Sequence, residues 1–210
     1  MKKIISVILL LTTLTGIFCS CTDYNVTVID GYVVEESETP TNYVRIVMKN
    51  GDAMLLELYP EYAPKTVKNF QNLVSEKYYD GITFHRVVEN FVIQGGDPDG
   101  DGIANGDRSW VKGEFPANGF DNPILHVRGV VSMARRGNDY DSASTQFFIV
   151  HQTPTSERNS LDGYYAAFGR LIAGYDVLDK IATVETNYAD KPIKAQTMAE
   201  VRFVNIVKGK

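Results

Sequence analysis

The sequence predicts a mostly β domain, either a closed sheet or a sandwich, carrying two α-helices. Three observations predict it. Short strand-like runs recur between glycine-rich turns. Only two stretches, one behind Pro64 and one from Tyr175 to Ala182, repeat apolar residues at helical spacing. The chain has 210 residues, 44% hydrophobic and 22% charged, which suits one domain with a substantial core. No internal repeat is evident.

Residues 1–20 stand apart from the fold. Lys2 and Lys3 precede an apolar run, Ile4 to Phe18, diluted by Thr12, Thr13, Thr15 and Gly16. The run is shorter than the roughly 20 residues a membrane span needs, and it reads as a secretory signal. The two cysteines, Cys19 and Cys21, lie at its end. Cys21 follows a small residue, Ser20, and the junction resembles a bacterial lipoprotein cleavage site. Phe18 and Cys19 depart from it, where leucine and a small residue are usual. Cleavage before Cys21 makes that residue the lipidated N-terminus. The mature chain then holds no other cysteine, hence no disulfide and no other thiol. Plain secretion with an unpaired thiol is the alternative. Thr22, rather than aspartate, follows Cys21, which favours the outer membrane.

Residues 21–42 read as an acidic tether. Asp23, Asp30, Glu35, Glu36 and Glu38 meet no Lys or Arg, Pro40 marks a boundary, and Val26, Val28, Val33 and Val34 suit a short strand. The folded domain is expected over 43–210. It opens with a hairpin, Tyr43 to Lys49 and Met54 to Leu58, turning on the two residues Asn50-Gly51. Pro64 starts a helix with Val67, Phe70, Gln71 and Val74 along one face, widened by Leu73, and Tyr78-Tyr79-Asp80-Gly81 ends it. Phe84 to Asp97 is read as one strand breaking at Gly95-Gly96. Alternation then puts Phe91 and Ile93 on one face, Val92 and Gln94 on the other. The second helix turns Val177, Leu178 and Ile181 inward, and Glu200 to Val207 is a closing strand.

Several chemistries are disfavoured. A net charge of −5 without a basic cluster argues against nucleic acid. Asp97-Pro98-Asp99-Gly100-Asp101-Gly102 begins like a calcium loop, yet its twelfth position is Arg108 instead of glutamate. His85, His126 and His151 lack zinc-ligand spacing, and His85 is expected to be a structural hydrogen-bonding group. No Lys-Ser/Thr follows the glycines, so a phosphate loop is weak. No metal or cofactor is expected. Arg86 stays protonated, so it orients a carbonyl group and cannot act as a base.

Phe84-His85-Arg86, Phe91 and Gln94-Gly95-Gly96-Asp97 resemble the active-site signature of the cyclophilins, the peptidyl-prolyl isomerases. Ser132-Met133-Ala134 with Gln146-Phe147-Phe148-Ile149, and Leu161-Asp162-Gly163 with Phe168-Gly169, resemble two further segments of that family, in the same order. The resemblance covers roughly residues 43–208. It implies a closed eight-stranded antiparallel barrel with a helix at each open end and a substrate groove on its outside. It also implies catalytic roles for Arg86, Phe91 and Gln94, with Gln94 supporting Arg86. Val92, Ala134, Arg135, Gln146, Phe148, Leu161 and Tyr165 fall at its substrate-binding positions. Ala134 and Arg135 would use main-chain groups, Val92 stands where methionine is common, and Tyr165 where histidine is. Ser160 takes the place of a tryptophan that packs on cyclosporin in eukaryotic relatives. The partners implied are proline-containing peptides and unfolded proteins outside the cytoplasm, and the chain is expected to act as a monomer. A binding module without turnover is the other function class. The retention of Arg86 favours the enzyme.

Overall fold

The computed structural model describes residues 26–103, 109–155 and 160–209. Cys21 and the expected signal segment lie outside them. Ten strands and two α-helices follow in chain order. They are β1 (Val26–Ile29), β2 (Tyr32–Glu36), β3 (Tyr43–Met48), β4 (Ala53–Leu58), α1 (Pro64–Ser75), β5 (Thr83–Val88) and β6 (Val92–Asp97). Then come β7 (Val130–Met133), β8 (Phe147–Val150), β9 (Ala167–Ala173), α2 (Tyr175–Ala182) and β10 (Met198–Lys208). The protein is mostly β with two helices, as expected.

The sheet differs from the expected closed eight-stranded barrel. Ten strands form one antiparallel sheet in the order β1-β2-β10-β3-β4-β9-β7-β8-β6-β5, and among the described residues no ladder joins its ends. Two causes are visible. First, β10 is 11 residues long, so its first half pairs with β3 and its second half with β2, which adds the β1–β2 hairpin. Second, among the described residues β5 meets the segment leading into β10 at a single isolated bridge, Thr83 to Thr197. Hydrogen bonds from Phe84 N–H to Gln196 O and from Met198 N–H to Ile82 O flank it, each 2.9 Å. That hairpin lies within the stretch read as an acidic tether. It turns on Asp30-Gly31, both at positive φ (47° and 91°), the backbone a two-residue type I′ turn requires.

The β3–β4 hairpin forms where expected, with a longer turn. Gly51 N–H donates to Met48 O and Met48 N–H to Asp52 O, each 2.8 Å, and Gly51 has φ +90°. This is a three-residue loop with a glycine bulge, not a two-residue turn. Helix α1 starts at Pro64 and buries Val67, Phe70, Leu73 and Val74. It ends at Ser75, earlier than expected, because Lys77 takes a left-handed conformation, φ 56°. Tyr78 N–H then reaches Leu73 O (2.9 Å) and Lys77 N–H reaches Val74 O (3.0 Å), the paired bonds of a Schellman stop. Helix α2 has the bounds and the inward residues that its spacing predicts. Phe70 lies at the centre of the main core, with ring centroids of Tyr79, Phe147 and Phe168 at 5.2, 5.5 and 5.1 Å.

Candidate active site

The signature Phe84 to Asp97 is a hairpin, not the single strand expected. Glu89-Asn90-Phe91 turns between β5 and β6, with Asn90 left-handed at φ 63°. Asparagine tolerates that region better than most residues. Its N–H donates to His151 Nδ1 (3.0 Å), and His151 Nε2 lies 3.2 Å from Asp179 Oδ1. The hairpin sets Arg86 directly across from Gln94. It also frees Phe91 from strand alternation, so Phe91 packs beside Val92, Phe148 and Leu161, while Ile93 enters the main core. The break at the end of β6 is real: Gly96 has φ +91°, and a Cβ there would collide with the Thr145 carbonyl.

Strand β8 runs beside β6 with Phe148 opposite Gln94, and the Leu161–Tyr165 turn closes the other side. Together they enclose a groove of about 280 Å³. Nine of the residues singled out from the sequence line it: Arg86, Phe91, Val92, Gln94, Ala134, Arg135, Phe148, Leu161 and Tyr165. Ser160 joins them, and Gln146 lines an adjoining pocket instead. The floor is apolar, since Val92, Phe148 and Leu161 are buried, and Tyr165 stands edge-on to Phe148 with centroids 5.8 Å apart. Arg86 and Gln94, both half-buried, stand on the rim.

The polar contacts differ from those expected. Gln94 Nε2 donates to Gln146 Oε1 (2.9 Å), and among the described residues its Oε1 accepts no hydrogen bond from Arg86. Arg86 Nη2 pairs with Asp190 Oδ2 at 3.2 Å. Asp190 is brought there by its own loop, where Val87 N–H donates to Asp190 O (2.8 Å). Ala134 N–H is already used, donating to Gln146 O (2.9 Å). Sequence reasoning missed Asp190, because a lone acid in an irregular loop carries no periodic signal.

A second missed feature lies beneath the floor. Asp162 Oδ1 is 2.9 Å from His126 Nδ1, and His126 Nε2 is 3.0 Å from Ser132 Oγ. This is the connectivity of a serine-hydrolase triad. Ser132 is wholly buried, however, and His126 stacks at 24° under the Phe148 ring. No substrate carbonyl reaches the hydroxyl, so the chain of bonds fixes the floor and does not attack anything. Burial lowers the His126 pKa, partly opposed by Asp162. His85 corrects an expectation: it is buried, yet neither ring nitrogen has a hydrogen-bond partner. Burial lowers its pKa too, against the opposing charge of Asp97. Asp97 Oδ2 accepts the N–H groups of Asp101 (3.0 Å) and Gly102 (2.7 Å), which ties the acidic loop to its own backbone. Among the described residues no group of three or more His, Cys, Asp or Glu is placed to hold a metal.

Residues 43–203 match the family model described as "Cyclophilin type peptidyl-prolyl cis-trans isomerase/CLD". The chain belongs to the cyclophilin-type peptidyl-prolyl cis-trans isomerases. Peptidyl-prolyl cis-trans isomerase ppi1 of Schizosaccharomyces pombe is 42% identical over 142 residues, covering 67% of this chain and 86% of that protein. Peptidyl-prolyl cis-trans isomerase B of Bacillus subtilis is 41% identical over 130 residues, covering 62% and 83%. Some relatives are longer: the chain spans about a quarter of the isomerase-like 2 protein of Gibberella zeae, 40% identical over 154 residues. Among solved structures, a Cryptosporidium parvum cyclophilin-type isomerase crystallised in the presence of the dipeptide Ala-Pro superposes with a TM-score of 0.68. It is 28% identical, and the match covers 80% of this chain and 99% of that one.

For a cyclophilin-type isomerase the groove has the parts the reaction requires. An X-Pro bond rotates against a barrier of about 18–20 kcal/mol without any bond being made or broken. Acceleration therefore means binding the twisted amide better than either planar form. An apolar floor can hold a pyrrolidine ring still, and fixed donors on the rim can meet the charge that twisting places on nitrogen and oxygen.

Proposed function

We propose that this isomerase assists the folding of extracytoplasmic proteins from a bacterial membrane, anchored as a monomer through a lipid on Cys21. The observation that carries the catalytic part is the convergence of Arg86, Phe91, Gln94, Phe148 and Leu161 on one groove. Arg86 supplies the guanidinium that favours the pyramidal prolyl nitrogen of the twisted state. Phe91, Val92, Phe148 and Leu161 grip the ring, with Tyr165 at its edge. Gln94, oriented by Gln146, holds the substrate backbone, and Ala134 and Arg135 form the wall along which the peptide runs. Retention of Arg86 supports turnover over mere binding.

The anchoring part rests on sequence: the basic start, the short apolar run and the small residue before Cys21. More than one acyl chain suffices for stable attachment. Thr22 supports the outer membrane. Fractionation of cells making wild type and Cys21→Ser tests this. Wild type is expected with the outer membrane and the variant in the soluble fraction, and two equally soluble proteins would refute the anchor.

A further inference from the structure

Next to the proline groove lies a second pocket of about 100 Å³, which shares Gln94, Ala134 and Arg135 with it. Its other lining is polar: Arg136, Ser142, Ser144, Gln146 and the backbone of Gly102. Among the described residues neither pocket is lined by a carboxylate. This is notable in a chain of net charge −5.

The two arginines on this wall are held in place without a counter-ion. Arg135 Nε donates to Tyr164 O (2.9 Å), and Nη1 donates to Arg136 O (2.8 Å) and Gly137 O (3.2 Å). Its guanidinium also sits 4.4 Å from the Tyr165 ring centroid and 4.7 Å from that of Tyr140. Arg136 lies 4.8 Å over the Trp110 ring. Carbonyl dipoles and ring faces orient these charges but do not neutralise them. Among the described residues neither forms an ion pair. Arg45, Arg86, Arg128 and Arg202 each pair with an aspartate or glutamate. The acids in the adjacent loop are occupied elsewhere. Asp139 accepts the Asp141 N–H (3.0 Å), and Asp141 accepts Gly113 N–H (2.9 Å) and the Asn118 amide (2.7 Å).

We infer that the substrate supplies the missing counter-ion, so that this isomerase prefers chains carrying a glutamate or aspartate within two residues of the proline. The pockets adjoin across Ala134 and Arg135, and consecutive residues of an extended chain lie about 3.3–3.6 Å apart. Because the pockets share Gln94, Ala134 and Arg135, we assign the second pocket to a side chain one or two residues from the seated pyrrolidine. This deepens the isomerase reading above and rests on it.

The test uses two sets of proline peptides. One carries Glu, Gln or Lys two residues before the proline, the other carries them immediately after it. In at least one set kcat/KM is expected to be about tenfold higher for Glu than for Lys at low salt, with Gln between. Raising the salt to 1 M should shrink the ratio toward one. Arg136→Glu should abolish or reverse the ratio, and Arg136→Gln should reduce it. The Gln peptides report whether each variant still turns over. Glu and Lys peptides within twofold of each other in both sets would overturn the inference while leaving the isomerase intact. So would a Glu preference that survives both Arg136 variants. Absence of turnover on every peptide by the wild type would instead defeat the isomerase reading itself.

Discussion

At the scale of single residues, the groove depends on groups that the sequence motifs do not display. Arg86 was legible from its motif, yet the acid that orients it, Asp190, sits in an irregular loop far along the chain. The pair is part-exposed, 38% and 45%, so an exposed-pair value of about 0.2–1 kcal/mol applies. Asp190→Asn is therefore expected to slow turnover by at most about fivefold, with Asp190→Glu restoring part of it; stopped-flow isomerisation kinetics would show a larger or absent effect directly. The histidines give a pH dependence. His85 and His126 are both buried with pKa values lowered from 6.5. Below that value the unfolded chain binds protons that the folded protein refuses, so unfolding gains on acidification. Their contribution is fully present above about pH 6.5 and is lost as pH falls from there through the lowered folded values. Thermal midpoints should therefore fall between pH 7.5 and pH 5.5, and His126→Asn should lessen the slope. A flat profile in the wild type would contradict the buried neutral assignment. That assignment was not available from spacing, which showed only that the three histidines do not form a metal set.

At the scale of elements, periodicity carried furthest where tertiary packing agreed with it. Helix α2 has its expected bounds because Val177, Leu178 and Ile181 face the core. Two of the misjudged boundaries fall where a residue other than glycine takes positive φ. Lys77 stops α1 and Asn90 turns the signature hairpin, and neither announces the turn as Asn-Gly or Asp-Gly does. The β1–β2 hairpin is the opposite case. Asp30-Gly31 is a strong turn signal, overshadowed by the acidic composition around it. Two of its acids have partners in the fold: Glu36 reaches buried Arg45 at 3.1 Å, and Asp30 Oδ2 accepts the Gly174 N–H (2.7 Å) at the start of α2. The hairpin also buries Ile29 and Val34 against Leu55, Ala173 and Val204. Two such side chains contribute about 3 kcal/mol or more. Removing residues 26–36 should lower the thermal midpoint by more than about 6 °C. A merely flexible leader would leave the midpoint unchanged, so calorimetry on the shortened domain separates the two.

At the scale of the whole molecule, the cyclophilin motifs disclosed the architecture class and most of the groove. The open ten-stranded sheet was hidden because the two short strands that extend it lie in an acidic stretch. The groove's rim also bears on inhibition. Ser160 lines it where a larger side chain would add contact, and apolar burial is worth about 25 cal/mol per Å². Weak cyclosporin sensitivity is expected, with Ser160→Trp tightening inhibition; tight inhibition of the wild type would contradict this. In the proposed function the groove accelerates prolyl rotation through Arg86. The most direct test is the isomerisation rate of a proline tetrapeptide with wild type and Arg86→Ala, measured beside their thermal midpoints. Loss of a donor acting mainly in the transition state is expected to cut kcat by about 10²–10³-fold, with midpoints within about 2 °C of each other. An Arg86→Ala protein that turns over at the wild-type rate would contradict the account.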